Sequence, residues 1–249
     1  MMPKITDVDI NFVERTNKNI GIIFPGGAGG NFLYTFYTNS PATTFANNLD
    51  YTDENKLKGS YHIQDRDLFD VPPADENHDE HLLRVKFEKD FIAHYYNQQL
   101  VRLRYPNHFL ISIAPDPNMY LFIIYMLVQK TFRWRDDFST LDLEQKLIEL
   151  CGMLYYIKKY NYTAEFCDLL YTTKEILYDK TNNSRLIKYR HYNKQHHDVY
   201  INYFENMLSQ VNHAGDRLKN IKNTLLADLE MQLLREKDFL KENKKNLYI

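Results

Sequence analysis

The sequence has few of the residues that build disulfide-stapled or collagen-like chains. Its 249 residues include 2 Cys, 8 Gly, 8 Pro and 1 Trp. Two cysteines are too few for a disulfide framework, so we expect Cys151 and Cys167 to be free thiols in a reducing compartment. Charge of one sign is not in excess either, because 31 Lys and Arg stand against 33 Asp and Glu. This balance argues against generic binding of duplex nucleic acid.

Long hydrophobic runs are also missing. The longest apolar stretch, 119–128, is about half of the roughly 20 residues that a membrane-spanning helix needs. Residues 1–10 carry Lys4, Asp7 and Asp9 and have no apolar centre, so we expect no secretory signal. The expectation is a soluble, cytoplasmic protein with no membrane partner.

The composition is otherwise that of a globular protein, with 44% hydrophobic and 26% charged residues. Tyrosine is abundant, at 20 residues, and so are Asn, Lys and Ile. These residues have AT-rich codons, which suggests the genome of a virus or of an AT-rich microbe. For a viral protein the expected location is the host cytoplasm or the virion.

Two segments have the pattern of strands buried on both faces. Residues 20–25 (Ile-Gly-Ile-Ile-Phe-Pro) and 108–114 (His-Phe-Leu-Ile-Ser-Ile-Ala) are short apolar runs, and turn residues follow each of them. A helix is expected after each turn, over 31–37 and 119–131, and Tyr61–Ile63 could form another short strand. Strand, turn and helix in this order predict an α/β fold with a mostly parallel sheet flanked by helices. We expect the strand ending at Phe24 to be central and parallel to strand 108–114.

The remaining elements are predicted to be helical. The predicted helices are 82–104, 141–160, 195–211 and 216–246. In the first of them the apolar residues at helical spacing include Phe87, Phe91, Tyr95, Leu100 and Leu103. Residues 169–177 could be either helix or strand. Residues 216–246 contain no Gly or Pro, so we predict one long terminal helix and divide the chain into domains 1–215 and 216–249. The apolar residues of this helix form only a narrow stripe, which must pack into a groove for the helix to be stable. We expect the beginning of the helix to pack on its own domain and its end to meet a protein partner or a second copy.

Five of the eight glycines lie between Gly21 and Gly30, and four of them are in Pro25-Gly26-Gly27-Ala28-Gly29-Gly30-Asn31. Small residues between a strand and a helix let backbone N–H groups converge on an anion, and the helix N-terminus adds partial positive charge. Gly26, Gly27, Gly29, Gly30 and Asn31 are therefore the candidate residues for binding a phosphate or other anion. The alternative is a tight turn that needs positive φ angles and binds nothing.

The segment Ile22-Ile23-Phe24-Pro25-Gly26-Gly27-Ala28-Gly29-Gly30-Asn31-Phe32-Leu33 resembles the 5′-phosphosulfate loop of the sulfotransferase-like P-loop family. Phe109–Pro117 and Tyr200–Leu208 resemble later segments of that family in outline. The resemblance implies a P-loop-like fold and a transferase that uses 3′-phosphoadenosine 5′-phosphosulfate to sulfate an acceptor hydroxyl. The partner implied is an adenine nucleotide or another anion.

This chain lacks the basic residues that bind phosphate groups in the family. The basic residue of the family loop corresponds to Gly27, and the phosphate-binding Arg of the second motif corresponds to Pro115. A second interpretation therefore stays open, in which a non-catalytic viral structural or interaction protein keeps the fold and assembles through its C-terminal helix. A nucleotide-sugar glycosyltransferase is a third, although 249 residues barely accommodate its two nucleotide-fold domains.

If the protein is an enzyme, sulfuryl transfer needs a general base for the acceptor hydroxyl. His62 is the candidate base, and Arg66 could replace the missing cation of the loop. The alternative for His62 is an ordinary hydrogen-bonded histidine.

His78 and His81 lie in a Pro-containing polar loop without rigid geometry, so we assign no metal ligands.

Overall fold

The computed structural model describes residues 18–30, 33, 34, 37, 61–63, 90–93, 97–134, 137–159, 161–178 and 184–243. The strands are β1 (Ile20–Ile23), β2 (Tyr61–Ile63), β3 (Phe91–Ala93), β4 (Phe109–Ala114) and β5 (Leu169–Thr172). The helices are α1 (Gln98–Arg104), α2 (Tyr120–Trp134), α3 (Asp137–Thr140), α4 (Leu143–Lys159), α5 (Thr173–Tyr178), α6 (Ser184–His213) and α7 (Asp216–Glu242), and a 3-10 turn, Pro117–Met119, precedes α2. Gly30, Leu33, Tyr34 and Tyr37 are helical as well.

The five strands form one parallel sheet in the order β2-β3-β1-β4-β5. β1 is central and parallel to β4, as the sequence predicts, and it pairs with β3 on its other side. Ile22, Ile92 and Ile111 lie side by side at the same level of β1, β3 and β4, and all three are fully buried. Consecutive residues of these strands are buried, so both faces of the sheet are covered, which is typical of parallel sheets.

The chain forms two compact units. One contains residues 1–114 and 161–181, and therefore the whole sheet with α1 and α5. The other contains residues 115–160 and 182–249, and therefore α2, α3, α4, α6 and α7. The domain boundary at 215/216 stays a prediction from the sequence, while α7 belongs to the second unit together with α2, α4 and α6. None of the helices in the described part of the chain is long and apolar enough to cross a bilayer.

The helix predicted over 82–104 is confirmed at Gln98–Arg104 and wrong at Phe91–Ala93. Phe91–Ala93 is strand β3, and the helix is confined to Gln98–Arg104. Residues 91–93 are completely buried between β1 and β2, whereas Leu103, which we expected on the apolar face, is 70% exposed. Asn97 begins α1 by accepting a hydrogen bond from the Leu100 N–H at 3.3 Å, as an N-cap residue does.

Segment 169–177, which the sequence left open, is both strand and helix. β5 ends at Thr172 and α5 begins at Thr173. The Glu175 carboxylate accepts the Thr172 N–H at 2.7 Å, and the Glu175 N–H donates to the Thr172 hydroxyl at 3.2 Å. This reciprocal pair is a capping box, and it fixes the point where the strand becomes a helix.

The later part of α7 packs within its own unit along its apolar stripe, and the expectation that its end meets a partner stays a prediction. The buried apolar residues run from Leu226 through Leu229 and Leu233 to Phe239. Glu236, which interrupts this stripe in the sequence, is completely buried as well. α7 contacts α2, α4 and α6, so these helices supply the groove that the stripe requires.

Gly21 is expected to be essential for the packing of the sheet. A Cβ atom added there would lie 2.4 Å from the Phe91 ring and 2.6 Å from the Leu110 side chain. Overpacking of this kind costs about 1–3 kcal/mol, so Gly21→Ala should lower the free energy of unfolding by that amount in urea denaturation. Gly152→Ala in α4 is the matched control, because nothing lies within 4 Å of its added Cβ. We expect this control to be neutral or to stabilise the protein by up to about 1 kcal/mol, and equal effects of the two substitutions would contradict the packing argument.

Candidate functional site

The glycine loop, residues 24–30, follows β1 at the carboxyl edge of the sheet. From β1 the chain visits β2 and β3 on one side and then β4 and β5 on the other. The direction of the connections therefore reverses at β1, and open parallel sheets bind their ligands at such a switch point. The loop thus leaves the sheet where this fold class places its binding sites.

The backbone of the loop explains why three of its glycines are needed. Gly27 and Gly29 have φ angles of 87° and 89°, in the left-handed region that favours glycine. At Gly30 an added Cβ would lie 2.0 Å from the Phe24 ring. The turn is closed by the Ala28 N–H, which donates to the Pro25 carbonyl at 3.1 Å. These observations give the glycines structural reasons as well as the functional one that the sequence suggests.

The loop ends directly in a helix. The Leu33 N–H donates to the Gly29 carbonyl at 3.1 Å, which closes the first helical turn. Among the described residues, no acceptor is found for the N–H groups of Gly27, Gly29 and Gly30. Gly27 and Gly29 are half-buried, while Gly26, Ala28 and Gly30 are buried. The loop therefore offers neutral N–H donors and the partial positive charge of a helix N-terminus, and residues 24–30 contain no charged side chain.

The helix that follows β5 places one side chain next to this loop. Ile176 of α5 is buried, and its Cγ2 atom would lie 3.7 Å from a Cβ added to Gly29. The Thr173 hydroxyl donates to the Ala114 carbonyl at 3.3 Å and joins the carboxyl ends of β4 and β5. The contact between α5 and the loop was not predicted from the sequence, although Thr172-Thr173-Lys174-Glu175 carries the Thr-x-x-Glu signature of a capping box.

The hydroxyl groups of Tyr37 and Tyr171 form a hydrogen bond in the same unit. Tyr37 is a helical residue seven positions after Gly30, and Tyr171 is a fully buried residue of β5. This bond ties the segment after the loop to the strand two places from β1. A buried polar contact therefore holds this segment near the sheet.

The other candidate residues are placed only in part. His62 is the middle residue of β2, in register with Ile92 of β3. β2 is two strands from β1, which corresponds to a lateral distance of about 10 Å between backbones. Asn31 and Arg66 lie outside the described residues, so the roles of Asn31, His62 and Arg66 stay predictions.

Cys167 is the buried thiol of the sheet unit. Its sulfur accepts from the Gln98 side-chain amide at 3.6 Å and donates to the Thr163 carbonyl at 3.4 Å. Burial raises the pKa of the Cys167 thiol above its usual value. A thiol in this environment stays protonated and is a poor nucleophile, so Cys167 is a packing residue.

The described residues contain no candidate metal site. No cluster of three His, Cys, Asp or Glu side chains there could hold a metal ion. His78 and His81 lie outside that part.

Comparison of this chain with protein-family models, with curated proteins and with solved structures found no match. The class of protein is therefore defined by its fold and loop alone. It is an α/β protein whose all-parallel sheet carries a glycine-rich turn after its central strand.

Proposed function

We propose that the glycine loop binds the phosphate or sulfate end of an adenine nucleotide, and that the protein is a sulfotransferase-like transferase. The observation that carries the proposal is the turn of positive-φ glycines at the carboxyl end of the central strand, leading directly into a helix. A nucleotide anion at this position would meet N–H groups of the loop and the first helical turn. The resemblance of residues 22–33 to the 5′-phosphosulfate loop names 3′-phosphoadenosine 5′-phosphosulfate as the donor.

The chemistry of this proposal assigns different tasks to different residues. Gly26, Gly27, Gly29, Gly30 and Asn31 would hold the anion through backbone N–H groups, which are neutral donors. Charge-assisted contacts are roughly twice as strong as neutral ones, so binding needs a cation from elsewhere, and Arg66 is the proposed source. His62 would accept the proton of the acceptor hydroxyl as the sulfuryl group leaves the nucleotide.

Calorimetric titration of the full chain with adenosine 3′,5′-bisphosphate tests the proposal. Saturable binding of one nucleotide per chain, weakened by Arg66→Ala, is the expected result. Inorganic sulfate in a parallel titration separates nucleotide recognition from simple anion binding. Absence of heat with the nucleotide and with sulfate would refute the proposal.

A second candidate, a non-catalytic protein that assembles with copies of itself through α7, is favoured by a different observation. Met231 and Leu234 of α7 are 63% and 62% exposed although they are large apolar side chains. They lie three residues apart, on neighbouring positions of one helix face. A second copy of the chain could cover them.

Light scattering tests this second candidate. We expect a mass above that of one chain for the unmodified protein, and a fall towards the monomer in the double variant Met231→Lys/Leu234→Lys. Removal of residues 230–249 is a poorer variant, because it also deletes the buried Leu233 and Glu236. A monomeric unmodified protein would contradict assembly through α7.

A further inference from the structure

Glu236 is a completely buried carboxyl group in the middle of α7. Its Oε1 atom accepts the Leu121 N–H, and its Oε2 atom accepts the Phe122 N–H at 3.2 Å. These two N–H groups belong to the first turn of α2, where a helix has donors without intrahelical acceptors. A side chain 114 residues away along the chain from Phe122 therefore caps the start of α2.

Gln232, one turn earlier on α7, extends the same contact. Its side-chain amide donates to the Pro117 carbonyl and, at 3.4 Å, to Oε1 of Glu236. Gln232 and Glu236 together hold the 3-10 turn Pro117–Met119 and the first turn of α2. We call these two side chains with their three backbone partners the α7 latch.

The latch contains a group that can change its charge in the neutral range. Loss of hydration in the buried site raises the pKa of Glu236 to about 8, and this effect outweighs the opposing effect of the hydrogen bonds from Leu121, Phe122 and Gln232. A neutral carboxyl can still accept the two N–H groups. An ionised one would be a buried charge, which is costly unless it is paired.

Several charged groups on the elements around Glu236 have other partners. Lys237 pairs with Glu205 of α6, Lys158 of α4 pairs with Asp228 at 3.0 Å, and Asp116 caps the 3-10 turn by accepting the Asn118 N–H at 2.8 Å. Arg235 and Asp116 both act on the pKa of Tyr120. His197 of α6 is buried, with its ring edge-on to the rings of Phe122 and Tyr200. His197 is thus an ionisable side chain beside Phe122, for which the substitution His197→Asn serves as a control.

We propose that Gln232 and Glu236 form a proton-dependent latch, which holds the turn Pro117–Met119 and the start of α2 on the C-terminal helix while the Glu236 carboxyl is neutral and releases them when it ionises. An opened latch exposes the carboxyl to water, where it has the ordinary acidity of a glutamate. The open state therefore binds fewer protons than the closed state between about pH 4.5 and pH 8. Opening becomes more favourable as the pH rises through this window, by about tenfold per pH unit, and levels off above it.

Amide hydrogen exchange of the full chain, followed by NMR at several pH values, tests the latch. After division by the intrinsic exchange rate at each pH, the Leu121 and Phe122 amides should exchange about tenfold faster per unit between about pH 5 and pH 7.5. Amides of α4, such as that of Leu150, should show no such slope. If they share it, the opening is global unfolding, and a local latch is excluded.

Three substitutions identify the titrating group. Glu236→Gln keeps a neutral acceptor and should abolish the slope, whereas Glu242→Gln at an exposed position of the same helix should leave it unchanged. Gln232→Met removes the bond to Pro117 and should speed exchange at every pH while keeping the slope. Persistence of the slope in Glu236→Gln, or its loss in His197→Asn, would overturn the proposal. If Glu236→Gln does not fold, the unmodified protein still decides, because a flat profile for Leu121 and Phe122 overturns the proposal on its own.

Discussion

Gly29→Val is expected to abolish the stabilisation of the protein by adenosine 3′,5′-bisphosphate. Valine at a φ angle of 89° is strained by about 1–2 kcal/mol or more, because β-branched residues rarely adopt this region. The loop would therefore rearrange and its N–H groups would no longer converge. In the unmodified protein a nucleotide at one hundred times its dissociation constant stabilises by about 2.7 kcal/mol, which corresponds to a rise in Tm of about 5–10 °C. Thermal denaturation with and without the nucleotide measures the difference.

Gly215→Val is the matched control for this experiment. Gly215 has a φ angle of 87° and precedes α7, and nothing lies within 4 Å of a Cβ added there. The substitution introduces the same kind of backbone strain outside the loop, so the Tm should fall by a similar amount while the shift caused by the nucleotide persists. A nucleotide shift that survives in Gly29→Val would show that the ligand binds elsewhere.

Leu233→Ala is expected to cause a large loss of stability. Leu233 is only 6% exposed, and truncation of a buried leucine removes transfer free energy and leaves a cavity. Such changes cost about 2–5 kcal/mol. The cost should appear as a lower midpoint of urea denaturation, followed by circular dichroism.

The neighbouring Leu234 supplies an internal control of the same chemistry. It is 62% exposed, so Leu234→Ala should change the free energy of unfolding by no more than about 0.5 kcal/mol. The two variants differ only in which side of the helix loses the same atoms. If both substitutions cost the same, α7 does not pack through the stripe from Leu226 to Phe239.

The strands that the sequence predicted most clearly are β1 and β4, and Tyr61–Ile63, which the sequence suggested as a short strand, is β2. β1 and β4 are buried on both faces, and their runs are long and bounded by turn residues. β3 was missed because three buried residues, Phe91 to Ala93, fit the helical spacing of their neighbours equally well. Only pairing with β1 and β2 decides the conformation of so short a segment, and this pairing is a tertiary effect that local pattern does not contain.

The candidate site, like the strands, was predictable only where the local sequence determines the backbone. The cluster of glycines marked the loop, because few other residues can adopt the backbone angles of Gly27 and Gly29. The side chains that contact the loop were not predictable, since Ile176 reaches it through the pairing of β5 with β4. Glu236 illustrates the same limit, because a glutamate inside an apolar stripe gives no sign of the two distant N–H groups that it accepts.

The alternation of the chain between the two units has a consequence for how the protein is made. β4 and β5 are neighbours in the sheet, yet the segment 115–160, which belongs to the other unit, is synthesised between them. On a ribosome the sheet therefore stays incomplete until Thr172 has emerged, long after β1 and β4 are available to pair. The thermodynamic penalty for this arrangement is small, because each doubling of a connecting loop costs only about 0.6 kcal/mol of closure entropy. The arrangement affects the timing of folding instead, because one edge of β4 in the nascent chain stays unpaired while the intervening helices are being translated.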